Sequence, residues 1–172
     1  MLCIKTEVKE SRIPDAGKGL FSLEFAPKGS IVFVPVLSYP INNIVLEAAY
    51  REKLSKTDIF PVNAGMRWGG HYFLHCDETP DNTDYINHAN NPNLLSCLGF
   101  FFARYDISSG DELTIDYRHI AIEGSVEVIT GGQEKIIGLS AKEALLQSAQ
   151  QLINLIHEVD DIHCFNLPKA PD

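Results

Sequence analysis

Three short stretches hold residue types able to do chemistry: AGKGLF at 16–21, YINHANNPN at 85–93 and GDELTIDY at 110–117. Glycine has no Cβ, so Gly17-Lys18-Gly19 lets backbone approach a neighbour closely. Asn87 and His88 bring an amide and an imidazole into a polar loop that Pro92 keeps from becoming helix. Tyr117 closes the third stretch with a phenol, which an ordinary pKa of ~10 keeps protonated at neutral pH. Each has a plain use on its own: a turn, a loop whose side chains bond nearby backbone, a packed strand end. Other chemistries fit less well. The glycine pair lacks the Walker spacing and its Ser or Thr after Gly-Lys. His71 and His75 would share one strand face beside Cys76, a metal-binding alternative, but no third and fourth ligand lie nearby, so no metal is expected. No nucleophile elbow occurs.

These stretches need elements to position them. LCIKTEV (2–8) alternates like a half-buried strand. Turn signals at Pro14–Gly17 and Pro27–Gly29 flank the strand candidates LFSLEF and SIVFVPVL, with Pro35 marking an edge or an end. Residues 42–57 have helical character, with Asn43 as a cap and Glu47 four residues before Arg51. MRWGGHYFLHC predicts a hairpin turning at Gly69-Gly70. LLSCLGFFFARYDI (94–107) predicts one long apolar strand region, and DELTIDY another strand ending at Tyr117. A second hairpin is expected around Gly131-Gly132. Ser140 and Glu143 form a capping box that starts a helix running to about Val159, with Ala144, Leu145, Leu152, Ile156 and Val159 along its apolar face. That helix either docks on the domain or provides a homodimer face.

Composition sets limits. The chain has 172 residues, enough for one domain with a real core, and 45% of them are hydrophobic. It contains no run long enough to span a bilayer and no secretion-signal pattern at its start, so a complete, soluble intracellular protein is expected, cytoplasm and nucleus being indistinguishable. The four cysteines are far apart without a CxxC pair, which predicts free thiols. The net charge of −9 disfavours direct nucleic-acid binding and suits a basic partner. Asp77 to Asp116 holds eight acidic residues against one basic residue, Arg104, a candidate rim for a cationic peptide.

Taken together and in order, AGKGLF, YINHANNPN and GDELTIDY resemble the SET-domain family of protein lysine methyltransferases. That family shows a GxGLF-like turn, an F-I-N-H-S-x-x-P-N loop and G-E-E-L-T-x-D-Y some twenty residues later. Ala103, Asp106, Ile107 and Gly110 match its intervening A-x-x-D-I-x-x-G, and the likeness covers roughly 4–119. The resemblance implies a mostly β fold with some helix: small β-sheets with a knot-like crossing, plus a C-terminal helix. It divides the chain into a SET domain at 1–119, with a variable inserted segment at 42–68, and an extension at 120–172. The extension, a hairpin, helix and tail, stands where many relatives have a cysteine-rich post-SET segment.

The resemblance also implies S-adenosylmethionine-dependent methyl transfer to a lysine amine of a basic protein or peptide, with S-adenosylhomocysteine as product. Tyr117 matches the catalytic tyrosine. Lys18, Gly19, Leu20, Asn87 and His88 match cofactor-binding positions, with Tyr117 beside them, and Tyr72 lies where an aromatic contact is common. Leu95, Ile115 and Tyr117 fall along the expected substrate channel, and Ile115 stands where a Phe or Tyr influences methyl number in relatives. Glu112 and Asp116 match positions that are more often structural than catalytic. Ala89 replaces the Ser after the NH pair, and Asp84 stands where Arg is common. With no cysteine-rich post-SET segment, residues 120–172 are expected to close the channel, Phe165 being one candidate. These departures motivate an alternative, a non-catalytic interaction module on the same fold.

Overall fold

The computed structural model describes residues 1–34, 44–46, 65–68, 71–74, 82–121, 123–124, 126–129 and 134–159; of 44–46, 65–68, 71–74, 126–129 and 134–135 it describes the backbone. In chain order the strands are β1 (Thr6–Glu10), β2 (Lys18–Ser22), β3 (Ile31–Phe33), β4 (Ile44–Leu46), β5 (Gly65–Trp68), β6 (His71–Leu74), β7 (Asn87–His88), β8 (Leu94–Cys97), β9 (Phe100–Ala103), β10 (Thr114–Ile115), β11 (Val126–Ile129) and β12 (Glu134–Ile137). Helix α1 spans Ala141–Glu158. The strands form small sheets, ordered β1-β2, β3-β9-β8, β4-β6-β5, β7-β10 and β11-β12. All pairings are antiparallel except β7 with β10, which is parallel and sets Asn87 beside Thr114 and His88 beside Ile115.

The β3-β9-β8 sheet separates two apolar clusters, and its alternation explains how. In β9, Phe101 and Ala103 join Leu20, Val32, Leu94, Ile107 and Leu113 in the main core. Phe102 faces the other way, toward Ile31, Leu95, Cys97 and Leu155. A sheet covered on both faces needs this near-continuous hydrophobic sequence, because successive side chains point to opposite sides. Fully burying one such side chain contributes about 1.5–3 kcal/mol.

Helix α1 begins as the sequence predicts. Ser140 accepts from the Glu143 backbone N–H at 3.2 Å, and the Glu143 carboxylate accepts from the Ser140 N–H at 3.1 Å. The buried stripe differs from the expected one. Ala144, Ser148 and Leu155 are buried, whereas Leu145 and Ile156 are exposed. The helix docks on β8 and on the turn after Tyr117, and a polar Ser148 sits on the contact side because its hydroxyl donates to the Leu145 carbonyl at 3.1 Å.

Two further expectations change. Residues 94–107 are not one strand. β8 and β9 form a hairpin turning at Leu98 and Gly99, with φ of 51° and 82°. Two consecutive positive φ values suit a tight hairpin turn, and Leu98 adopts one despite the steric cost of its Cβ. Ile44–Leu46, placed within the expected helix, is strand paired with β6. Its Ile-Val-Leu sequence favours sheet once cross-strand partners are present. The rest of 42–57 lies outside the described residues, apart from this strand. Both hairpins expected at Gly69-Gly70 and Gly131-Gly132 are present as the β5–β6 and β11–β12 pairs.

Candidate active site

The three stretches converge. Asn87 reaches from β7 to the β1–β2 unit: its Nδ2 donates to the Lys18 carbonyl at 3.0 Å, and Glu112 Oε1 and Ser11 Oγ lie at 3.0 and 3.2 Å. An amide NH2 has two protons, so protein acceptors use this nitrogen fully. Asn87 Oδ1 takes no bond among the described residues and is the group left to meet a ligand. Glu112 is the anchor. It also accepts from the Ser11 hydroxyl at 2.6 Å and from the Arg12 backbone N–H at 2.7 Å. Gly19 lies against this carboxylate so closely that a Cβ would strike it, with Asn87 Nδ2 only 3.2 Å away. Here glycine is required for close approach rather than for a special φ.

Tyr117 is fixed at two points. Its hydroxyl donates to the Ile86 carbonyl at 2.7 Å, and its backbone N–H donates to His88 Nδ1 at 3.1 Å. The rings of His88 and Tyr117 lie 5.6 Å apart, tilted by 53°. Since Nδ1 accepts, a neutral His88 carries its proton on Nε2, which is buried without a partner among the described residues. Ala89, lacking the family's serine hydroxyl, is held by its backbone N–H donating to the Ile115 carbonyl at 3.1 Å. The parallel β7–β10 pair thus keeps the loop in place without that side chain.

Tyr117 opens a 3-10 turn, Tyr117–His119, capped by Asp116. The Asp116 carboxylate accepts from the Arg118 backbone at 3.0 Å and from the Arg118 guanidinium at 2.9 Å through Nε and 2.5 Å through Nη2. Burial pushes the Asp116 carboxyl up, but Arg118's bonds together with the His119 and Arg118 charges outweigh it and hold it below its ordinary value. Burial pushes the His119 imidazole down, more than Asp116 and Gln147 raise it.

Other candidates are placed as follows. Lys18, Gly19 and Leu20 lie in β2, with Leu20 fully buried in the main core rather than facing a cleft. Ile115 is buried in that core beside Tyr117. Leu95, also expected along the channel, packs with Phe102 and Leu155 under α1, in the other cluster. The adjacent position Leu94 faces the main core, so alternation turns Leu95 away. Tyr72 lies in β6 opposite Val45 and Arg67, and its side chain is outside the described residues. His75, Cys76 and Phe165 are also outside, and no metal-binding cluster occurs among the described residues.

Of the acidic segment expected to form a rim, Asp77, Glu78 and Asp81 lie outside the described residues. Asp106 accepts from the Lys28 N–H and Asp111 from the Ser108 N–H, both at 2.8 Å. With Glu112 and Asp116 likewise committed, these carboxylates serve turns and caps. Ser11, the Arg12 amide and the Ile86 carbonyl are site components that spacing did not reveal.

The family pattern described as SET domain matches residues 17–118, more than half of the chain. The chain belongs to the SET-domain family. Among solved structures, this SET-domain chain is similar to an active polycomb repressive complex 2 in the stimulated state, at 20% identity and a TM-score of 0.51 over 67% of this chain and 15% of that one. A humanized mutant of the Chaetomium thermophilum Polycomb Repressive Complex 2 bound to the inhibitor GSK126 is similar at 15% identity and a TM-score of 0.50, over 92% of this chain and 23% of that one. The methyltransferase domain of human Histone-lysine N-methyltransferase SETMAR matches at 23% identity and a TM-score of 0.49, over 68% and 45%. The chain therefore spans less than half the length of each. No curated protein sequence matches it. At these identities the likeness to the two polycomb structures speaks for the fold alone. No described helix is long and apolar enough to cross a membrane.

Proposed function

We propose that this SET-domain chain transfers a methyl group from S-adenosylmethionine to a lysine amine of a basic protein. The observation that carries the reading is the double fixing of Tyr117, by Ile86 through its hydroxyl and by His88 through its backbone, next to an Asn87 whose Nδ2 is committed to protein acceptors. The residues present fit the cofactor. Lys18 is exposed at the start of β2, Asn87 Oδ1 is an acceptor suited to the ammonium end, and the Asn87 side chain ties β7 to the Lys18 backbone carbonyl. When bound, the cofactor supplies an electrophilic methyl on a cationic sulfonium.

The chain's own residues do the alignment. The Tyr117 proton is directed to the Ile86 carbonyl, so the phenol oxygen acts as an acceptor toward an amine and not as a general base. Its two anchors hold that oxygen still, and oriented systems of this kind reach effective molarities of roughly 10⁵ M or more. The attacking lysine must be neutral against an ordinary pKa of ~10.4. A dry channel beside a positive charge lowers that value, because desolvation and like charge both disfavour ammonium. Ile115, buried beside Tyr117, leaves no second phenol at that point of the strand.

The test is labelled-methyl transfer to a panel of basic proteins by the full chain and by Tyr117→Phe. Labelling by wild type and its loss in the variant support the reading; equal labelling by both removes Tyr117 from the mechanism. Cofactor calorimetry separates the enzyme from a binding module of the same fold: wild-type binding abolished by Asn87→Ala supports the enzyme, and no binding at high micromolar cofactor supports the module.

A further inference from the structure

A polar cavity of about 110 Å³ lies between the Asn90–Pro92 loop, β8, the turn after Tyr117 and helix α1. Its polar lining includes Arg104, Arg118, His119, Asn91 and Gln151, with Asp116 as its one carboxylate.

Guanidiniums outnumber carboxylates there. Arg104 uses one guanidinium N–H, from Nη1 to the Pro92 carbonyl at 3.2 Å. Arg118 uses Nε and one proton of Nη2 on Asp116, which leaves Nη1 unspent. Asn91 Oδ1 accepts from the Tyr105 hydroxyl at 3.1 Å, so its NH2 group is left over. His119 is only 8% exposed, and its Nε2 has no partner among the described residues. Asp116, the sole anionic acceptor, is already taken by Arg118. Two guanidiniums against one carboxylate leave the cavity net positive, within a chain whose net charge is −9. Arg118 and Asn91 stand on the exposed rim and His119 is buried behind them; guanidinium N–H groups converging on a cavity have an anion as their chemical complement.

We propose that this cavity binds a small oxyanion, carboxylate or phosphate in class, held by Arg104 and Arg118 and by the His119 edge. Its position gives it a second consequence. Gln151 belongs to α1 and Arg118 to the turn that begins at Tyr117, so the ligand would bridge the C-terminal helix to that turn. This site is separate from the proposed methyl-transfer chemistry and does not depend on it.

The test uses the full chain at neutral pH and constant ionic strength, exchanging sodium chloride for sodium phosphate in one arm and for sodium acetate in another. A ligand that binds only the folded state raises the melting temperature in a concentration-dependent way. The expected result is a phosphate-dependent rise beyond the chloride control that is lost in Arg104→Gln and kept in the remote variant Lys9→Gln. A rise with acetate as well assigns the site to oxyanions generally; a rise with phosphate alone assigns it to tetrahedral ones. Titrating wild type by NMR provides a readout independent of variant folding, with the His119 ring signals shifting to a plateau. No rise and no His119 shift in either arm overturns the proposal, as does an equal rise in Arg104→Gln.

Discussion

Asn87 and Glu112 are bound to each other side chain to side chain, Nδ2 to Oε1 at 3.0 Å, and Glu112 ties the same corner to Ser11 and Arg12. One carboxylate therefore fixes the direction in which the Asn87 amide points. Glu112→Ala removes three acceptor contacts and leaves part-buried donors unmet, at about 1–3 kcal/mol for each group left unsatisfied. The expected outcome is a lower unfolding midpoint and at least a tenfold weaker cofactor Kd by calorimetry. Glu112→Gln, which keeps one carbonyl oxygen, is expected to fall between wild type and alanine.

Gly19→Ala places a methyl group against the Glu112 carboxylate. Overpacking of this kind costs about 1–3 kcal/mol. Gly17→Ala meets no atom but must hold a φ of 69°. Denaturant unfolding of both variants is expected to show two losses of stability with different companions: cofactor binding is lost in Gly19→Ala and largely kept in Gly17→Ala.

Tyr117→Phe deletes a hydroxyl that donates to the Ile86 carbonyl. The expected stability loss is small, about 0.5–1.5 kcal/mol, the net worth of one hydrogen bond. Under the proposed methyl transfer the expected loss of activity is far larger, about a hundredfold or more, since there the hydroxyl's task is alignment. Melting curves and turnover measured on the same preparation separate the two.

Two buried groups contribute to the acid limb of stability. His119 has a folded pKa below its ordinary 6.5, so the unfolded chain binds more protons in that window. Its contribution is present above about 6.5 and is lost as pH falls toward the folded value. Asp116 has a folded pKa below its ordinary 3.8, so its contribution is present above 3.8 and is lost as pH falls through the folded value. Unfolding midpoints measured from pH 8 to pH 3 should decline in two steps, and His119→Gln should flatten only the upper one.

Leu155 is the residue through which α1 enters the second cluster. Leu155→Ala is expected to cost about 2–5 kcal/mol, while Leu146→Ala, at an exposed position of the same helix, should change stability by less than about 0.5 kcal/mol. Chemical unfolding followed by circular dichroism checks both.

Much of the site was readable because it is written in contiguous stretches. Gly19, Asn87, His88 and Tyr117 each stand inside a motif, and the structure brings those motifs together. The Ser140–Glu143 capping box was readable for the same reason: all its partners lie within one turn. What escaped was long-range or a matter of phase. Nothing local in SRI tells that Ser11 will bond Glu112. The Leu98-Gly99 turn lacks the Asn-Gly or Asp-Gly pair that usually marks such hairpins, so two strands read as one. The buried face of α1 is rotated from its most apolar one, because Ser148 satisfies its hydroxyl within the helix and tolerates burial. Ile44–Leu46 became strand because β6 supplies a partner that a local window does not contain.

The bonds that shape the Asn87 corner join positions 101, 100, 76 and 69 residues apart. Closing loops of that length costs entropy before any contact rewards it, so high-separation contacts form late in folding. The hairpins β5–β6, β8–β9 and β11–β12 can each assemble from neighbours, but this corner cannot. During refolding, strand signals should therefore precede cofactor competence, and the appearance of binding should mark the final kinetic phase.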